Sequence, residues 1–481
     1  MYSFSDEIAH EWNWTRRYPG QPEIEGYLNF VADKLGLRED IRLNVRITSA
    51  RFDEVDARWT ITTDDGDVVT CKYFIPAVGA LTVTNMPDIS GVDSFMGQQY
   101  HTARWPRADV DFRGKRVGVI GTGSTGVQII PEIAKEAAHL TIFQRTPQYV
   151  VPANDYHYTE ESLEMAKMTH KSRRQYLEGT TGGLPVVMTG KSVLQDDPDE
   201  RRGVLEAAWL SGGFAMSLTY ADTVLNEEAN GKVSDFVRSK IKDLVKNPED
   251  AEAAMPDYFF GAKRLVHSDS YYLTLNRSNV SLVDLRKSPI QEVTPEGIRT
   301  LSGLHDLDII VYATGFDAIT GALLGFEITG RDDLSLETKW KNGSDVNSYL
   351  GIAHAGFPNM LSHMGPLNPD YFSNAAVPVQ RRVEWIAELI EHAESNGIET
   401  IDVNAAIEEE WSTGVKAFAS GLLLAKTDSW YTGANIPGKV RNFLVYSGGV
   451  NSYLGELAHV ASQDYEGFLM TPAVENAKAN S

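Results

Sequence analysis

The stretch Arg116-Val-Gly-Val-Ile-Gly-Thr-Gly-Ser-Thr-Gly126 decides the fold of this chain. Its first half is rich in β-branched residues and predicts a buried parallel strand, and an apolar pattern of helical period begins at Val127. Glycines between a strand and a helix let the backbone approach a pyrophosphate, which then binds at the helix N-terminus. The stretch therefore predicts a Rossmann-like dinucleotide site rather than an ordinary glycine turn. The candidate contacts are Gly121, Thr122, Gly123, Ser124, Thr125 and Gly126 in the loop and Gln128 in the helix.

The strand predicted next along the chain indicates which coenzyme is bound. It ends before Arg145, roughly 20 residues after Gly126, where an NAD site carries an acidic residue for the ribose hydroxyl. An arginine at that point offers planar donors to a 2′-phosphate instead. The sequence therefore favours NADP, and the alternative is a surface arginine that merely follows a strand.

The composition disfavours several classes of partner. With 44 basic and 66 acidic residues, the net charge of −22 argues against nucleic acid and against an anionic membrane surface. The lone cysteine, Cys71, excludes an intrachain disulfide and suits a reducing compartment. No apolar run approaches the length of a membrane span. We therefore expect a cytoplasmic protein that binds neither nucleic acid nor a membrane.

A second pattern lies just before the glycine loop and consists of Phe95-x-Gly97-x-x-x-His101-x-x-x-Trp105-Pro106. At every defined position it resembles the motif of the type I Baeyer–Villiger monooxygenases, and the resemblance extends from Tyr2 nearly to the C-terminus. Members of that family are flavoproteins that use FAD, NADPH and O2 to insert an oxygen atom beside a ketone carbonyl. Without the resemblance, these residue types would indicate only a histidine packed near a tryptophan.

Two later segments add residues to the resemblance. The first is Phe259-Phe260-Gly261-Ala262-Lys263-Arg264, which implies that Arg264 is the catalytic arginine beside the flavin and that Lys263 helps Arg145 to bind the 2′-phosphate. A guanidinium suits an anionic intermediate in a dry pocket, although a solvated basic pair is the alternative. The second, residues 429–439, resembles the mobile loop in which a tryptophan, here Trp430, closes over NADP. An ordinary packed turn is the alternative there.

One segment departs from the family pattern. Residues 365–371 resemble the region that reaches the flavin ring, but this chain has Leu367, Asp370 and Tyr371 where family members often have smaller residues. The departure predicts a ketone pocket of different shape.

The resemblance implies an α/β fold with two dinucleotide-binding domains. We expect parts of the FAD domain in residues 1–78 and 311–481, the NADP-binding Rossmann domain in 79–155 and 257–310, and a helical insertion in 156–256. The expected activity is NADPH-dependent oxygenation of a ketone to an ester or lactone.

The flavin site raises a separate expectation. The family normally has a further G-x-G-x-x-G for the ADP part of FAD, whereas Gly121–Gly126 is the only such pattern here. We therefore expect a FAD domain truncated at its N-terminus. One alternative is that the chain is an NADP-binding subunit or inactive fragment, whose flavin binding needs a separately encoded segment. Another is that the true start of the protein lies upstream of Met1.

Overall fold

The computed structural model describes residues 3–4, 6–186 and 189–473, so Tyr2, where the family resemblance begins, lies outside the described residues. The strands, in chain order, are β1 (Ile47–Asp53), β2 (Arg58–Thr63), β3 (Val68–Cys71), β4 (Gln98–His101), β5 (Arg116–Ile120), β6 (His139–Gln144), β7 (Val150–Val151), β8 (Val266–His267), β9 (Val280–Asp284), β10 (Ile290–Thr294), β11 (Gly297–Thr300), β12 (Gly303–Asp306), β13 (Ile309–Tyr312), β14 (Glu327–Thr329), β15 (Ile398–Val403) and β16 (Phe468–Pro472).

The helices lie before β1 and between groups of strands. In chain order they are α1 (Asp6–Ala9), α2 (Gln21–Lys34), α3 (Ser124–Glu136), α4 (Glu160–Met168), α5 (His170–Glu178), α6 (Pro198–Ser211), α7 (Ala215–Leu218), α8 (Glu227–Leu244), α9 (Pro248–Ala253), α10 (Tyr271–Thr274), α11 (Leu336–Lys339), α12 (Ala376–Ser395), α13 (Ala405–Ser420) and α14 (Val450–Ser462). In the described part of the chain, no helix combines the length and apolar character needed to span a bilayer.

The nucleotide sheet consists of parallel strands in the order β4-β13-β5-β6-β9. Strand β5 pairs with β6 on one side and with β13 on the other, so the chain order reverses at β5. Ligands of such open sheets bind at this switch point, beyond the carboxyl ends of the strands. Helix α3 packs its buried residues Val127, Ile130 and Ile133 into the core of the sheet. The predicted Rossmann-like unit is confirmed.

A second sheet joins distant parts of the chain in the order β14-β1-β2-β3. Strands β1, β2 and β3 form an antiparallel meander, and β14 is parallel to β1. The buried indole of Trp59 anchors the meander by donating to the carbonyl oxygen of Pro358 at 2.7 Å. Residues near the start of the chain therefore pack with residues beyond 320, as a split second domain requires.

The expected division into domains can be compared with the observed helices and strands at two places. Helices α4 to α9 lie within the segment expected as a helical insertion, 156–256, and polar caps such as Asp197 and Asn226 begin two of them. The expected boundary between residues 310 and 311, however, falls inside β13. Because β13 pairs with β4 and β5 along its length, all of it belongs to the nucleotide sheet, and that boundary moves beyond Tyr312.

Candidate active site

The glycine loop leaves β5 at the switch point and begins α3. Gly121 has φ of 103°, and a Cβ there would lie 2.6 Å from the carbonyl oxygen of Ala313. A Cβ on Gly126 would lie 2.1 Å from the carbonyl oxygen of Gly121, whereas one on Gly123 would meet no atom within 4 Å. Gly121 and Gly126 are therefore required by the fold of the loop, and Gly123 leaves open space in front of it.

The remaining loop candidates divide into two groups. The Thr122 hydroxyl is buried and donates to the carbonyl oxygen of Thr146 at 3.1 Å, so it ties the loop to the end of β6. Ser124, Thr125 and Gln128 are exposed at the start of α3, which has no side-chain cap. The free N–H groups of this first turn fit a pyrophosphate.

Arg145 and Lys263, far apart in sequence, lie near enough for their charges to interact. Arg145 is exposed at the carboxyl end of β6. Burial, together with the positive charge of Arg145, lowers the pKa of Lys263, while Asp428 opposes that shift. The Lys263 ammonium donates to the backbone carbonyl oxygen of Asp428 and lies 5.1 Å from the centre of the Tyr258 ring. Two adjacent cations fit a 2′-phosphate, because each offers a charge-assisted hydrogen bond.

Arg264 is half-buried and held by neutral groups. Its Nη1 donates to the backbone carbonyl oxygen of Tyr371 at 2.6 Å, and its guanidinium carbon lies 5.3 Å from the centre of the Phe214 ring. Among the described residues, no carboxylate forms an ion pair with it. The Tyr371 ring meets Trp430 edge to face at 5.7 Å, so the structure brings the predicted catalytic arginine and the predicted lid tryptophan into one cluster.

A half-buried histidine, His267, follows Arg264 in the chain. Burial and the charge of Arg264 lower the pKa of His267 to about 4, so its imidazole is neutral at neutral pH. In the described part of the chain, its Nε2 and the Ser429 hydroxyl are buried without a hydrogen-bond partner. Unpaired buried polar atoms on residues close in sequence to Arg264 and Trp430 are consistent with a polar cofactor ring at this place.

The motif residues before the glycine loop serve a different purpose. Phe95 is buried, a Cβ on Gly97 would lie 2.4 Å from the carbonyl oxygen of Asp308, and Trp105 packs on Tyr100. His101 Nδ1 accepts from the Ala103 amide at 3.1 Å, and Nε2 lies 3.3 Å from the Thr314 hydroxyl. These residues, with the following Pro106, set edge strand β4 against the exit of β13. They do not contact Arg264.

Sequence reasoning missed several residues of this site. They are Phe214 and His267 as side chains, and Tyr371 as a backbone acceptor. Only position 371 carried a signal, because its departure from the family pattern was visible in the sequence.

The chain is similar to known proteins over nearly its whole length. A family model described as pyridine nucleotide-disulphide oxidoreductase matches residues 2–177. A Baeyer–Villiger monooxygenase of Pseudooceanicola batsensis is 36% identical, over 98% of this chain and 86% of that protein. The chain belongs to the Baeyer–Villiger flavoprotein monooxygenase family. Members depend on NADPH and carry FAD, and a solved complex titled OTEMO with FAD and NADP superimposes with a TM-score of 0.92 at 38% identity, covering 97% of this chain and 90% of that one.

A second relative shows that the family includes other oxygenations. Phenazine N-monooxygenase PhzNO1 of Lysobacter antibioticus is 41% identical, over 98% of this chain and 86% of that protein. Its name describes oxygenation at nitrogen, so family membership alone does not select the atom that receives oxygen.

Proposed function

We propose that this protein converts a ketone to an ester or lactone, and that Arg264 is its catalytic residue. The balanced reaction takes ketone, O2, NADPH and a proton to ester, NADP+ and water. When bound, FAD supplies the O2-activating redox chemistry with electrons from NADPH. The observation that carries the proposal is the Arg264 guanidinium, which lies beside Phe214, is held by the Tyr371 carbonyl and has no carboxylate partner among the described residues.

The charge of Arg264 explains why it suits this step. Negative charge develops on oxygen as the new carbon–oxygen bond forms, and a preorganised cation in a partly desolvated site stabilises it. A carboxylate pair would offset that charge, whereas a backbone carbonyl orients the guanidinium and leaves it cationic. The neutral His267 nearby adds no competing charge.

The coenzyme contacts form the second part of the proposal. Gly121, Gly123, Gly126 and the start of α3 bind the NADP pyrophosphate, and Arg145 with Lys263 binds the 2′-phosphate. Trp430 covers the bound coenzyme. Support comes from the open space at Gly123 and from the proximity of the two cations.

Product analysis tests the proposed reaction. FAD-loaded protein, prepared by co-expression with the flavin-binding segment proposed below, is incubated with NADPH, O2 and a panel of cyclic, linear and aryl ketones, and products are identified by mass spectrometry. We expect an ester or lactone in amounts matching the NADPH consumed. If the protein forms an N-oxide from a phenazine-type ring and no ester from any ketone, the proposed reaction is wrong. The activity is then N-oxygenation, as in the name of the Lysobacter relative.

The flavin site leads to a separate proposal. We propose that stable FAD binding by residues 1–481 needs a second strand–glycine–helix segment in addition to these residues. The support is that these residues hold one G-x-G-x-x-G, at 121–126, and it lies in the nucleotide sheet. An absorbance spectrum of the purified chain before and after FAD addition tests this. We expect flavin absorbance only when the segment is co-expressed, and stoichiometric FAD in residues 1–481 alone would contradict the proposal.

We also propose a cytoplasmic location. Support comes from the single cysteine, Cys71, because a chain with one cysteine has no intrachain disulfide and suits a reducing compartment. Fractionation of the source cells, with immunodetection of the protein, tests this location. Recovery in a membrane or secreted fraction would contradict it.

A further inference from the structure

A fully buried ion pair lies behind the candidate active site. Arg382 of α12 donates from Nη2 to Oδ2 of Asp370, and the side chains are 0% and 1% exposed. The guanidinium carbon of Arg382 also lies 6.0 Å from the centre of the Tyr453 ring. In the described part of the chain, Arg382 Nε and Nη1 and Asp370 Oδ1 have no hydrogen-bond partner. A buried pair with unsatisfied atoms is a poor source of stability, because desolvation opposes the attraction between the charges.

The position of this pair suggests another role. Asp370 lies in a short 3-10 turn, Pro369–Phe372, and the next residue is Tyr371, whose carbonyl holds Arg264 at 2.6 Å. The Tyr371 hydroxyl donates to the carbonyl oxygen of Met364 at 2.9 Å, and its ring packs on Trp430. The ion pair therefore connects the rigid helix α12 to the turn that carries the acceptor of Arg264.

We infer that Asp370 and Arg382 are positioning residues, which fix the Tyr371 carbonyl and thereby the place of the Arg264 guanidinium. The inference rests on the proposed role of Arg264. A backbone carbonyl can orient a cation only if the segment that carries the carbonyl is itself fixed in place. Small displacements of a charged group at a reacting centre reduce rates strongly. A charge-assisted bond from a helix holds such a segment more directionally than apolar packing.

A second buried pair provides a matched control. Lys339 and Glu408 are also largely buried, at 15% and 4% exposure, and Nζ lies 2.7 Å from Oε2. The other Glu408 oxygen accepts from the Ala355 amide at 3.1 Å, so this pair does not bind the segment 365–373. Asp370→Asn and Glu408→Gln each replace a buried carboxylate by an amide of the same shape.

The experiment compares these variants with wild type in two ways. Hydrogen exchange of amides in 365–373 is measured without cofactors, and ester formed per NADPH consumed is measured in FAD-loaded protein. Asp370→Asn should accelerate exchange in this segment about tenfold and lower the ester yield per NADPH about tenfold, with unchanged NADPH affinity. Glu408→Gln should do neither, although both variants lower Tm.

A double variant guards against misfolding. Asp370→Leu combined with Arg382→Met leaves no uncompensated charge, so it should fold, while the directional bond is lost. Two results would overturn the inference. One is hydrogen exchange in 365–373 at the wild-type rate in both Asp370→Asn and the double variant. The other is an ester yield at the wild-type level in both variants. If wild type itself forms no ester, the proposed reaction fails, and the exchange comparison still decides whether the pair holds the segment.

Discussion

The nucleotide region and the C-terminal region are built on different physical principles. The core of the nucleotide sheet is largely aliphatic, with Val117, Val119 and Ile142 fully buried against α3. The C-terminal region buries ionisable side chains, including His354 and Arg382, at 1% and 0% exposure. The comparison teaches that the coenzyme site rests on a largely aliphatic scaffold. The proposed catalytic arginine depends on a region whose packing includes charges and neutral imidazoles.

The largest expected difference between the two regions is in how the free energy of unfolding depends on pH. Burial, with the nearby Lys339 charge, lowers the pKa of His354 from 6.5 to about 3. Between these values the unfolded chain binds a proton that the folded protein excludes. The contribution of His354 is therefore complete above pH 6.5 and is lost as pH falls toward 3, on the order of 4 kcal/mol.

Urea unfolding at a series of pH values measures this effect in wild type and in His354→Gln. The glutamine does not titrate and offers its amide oxygen as an acceptor for the Ser362 hydroxyl, which lies 2.9 Å from Nε2 of His354. We expect wild type to lose more stability than the variant between pH 6.5 and 3. Parallel pH profiles for the two proteins would show that His354 is not held neutral.

The next effect concerns coenzyme choice in the nucleotide region. Arg145→Ala removes a charge-assisted bond to the 2′-phosphate, so NADPH affinity should fall by about 1.5–3 kcal/mol while NADH affinity changes little. Arg116→Ala is the control. Arg116 lies at the amino end of β5, away from the glycine loop, and pairs with Asp308 at 2.8 Å. Isothermal titration with both coenzymes measures the difference. Equal losses for NADPH and NADH would remove the NADP assignment.

The smallest effect separates the loop's fold from its binding function. Gly126→Ala places a Cβ against the Gly121 carbonyl and should destabilise the protein by about 1–3 kcal/mol. Gly123→Ala meets open space, so it should leave Tm unchanged and weaken NADPH binding by blocking the coenzyme. Thermal unfolding and coenzyme titration of the two variants test this. An unchanged NADPH affinity in Gly123→Ala would place the pyrophosphate elsewhere.

Much of the nucleotide region could be predicted from sequence because its determinants are local. A β-branched strand, a glycine loop and an apolar helix follow one another within 116–136, and each has its own periodicity. The expected boundary at 310/311 falls inside β13, because the sequence does not show which strands pair with that segment. Pairing with β4 and β5 assigns that strand to the nucleotide sheet.

The candidate active site was less accessible from sequence, because its contacts join distant segments. Arg264 and Trp430 came from the family resemblance, but the Tyr371 carbonyl carries no residue-type signal. Arg382 lies in an amphipathic helix, where a basic residue normally faces water. Its complete burial follows from the turn that brings Asp370 against α12.

The central claim is that Arg264 serves oxygen insertion rather than NADPH oxidation. Ester formed per NADPH consumed, measured for FAD-loaded wild type, Arg264→Lys and Arg264→Ala, tests it most directly. In Arg264→Ala we expect NADPH oxidation to continue while ester formation falls about 100-fold or more, because the developing negative charge loses its cation. Arg264→Lys should keep part of the yield through its charge. An ester yield per NADPH near the wild-type value in Arg264→Ala would contradict the account.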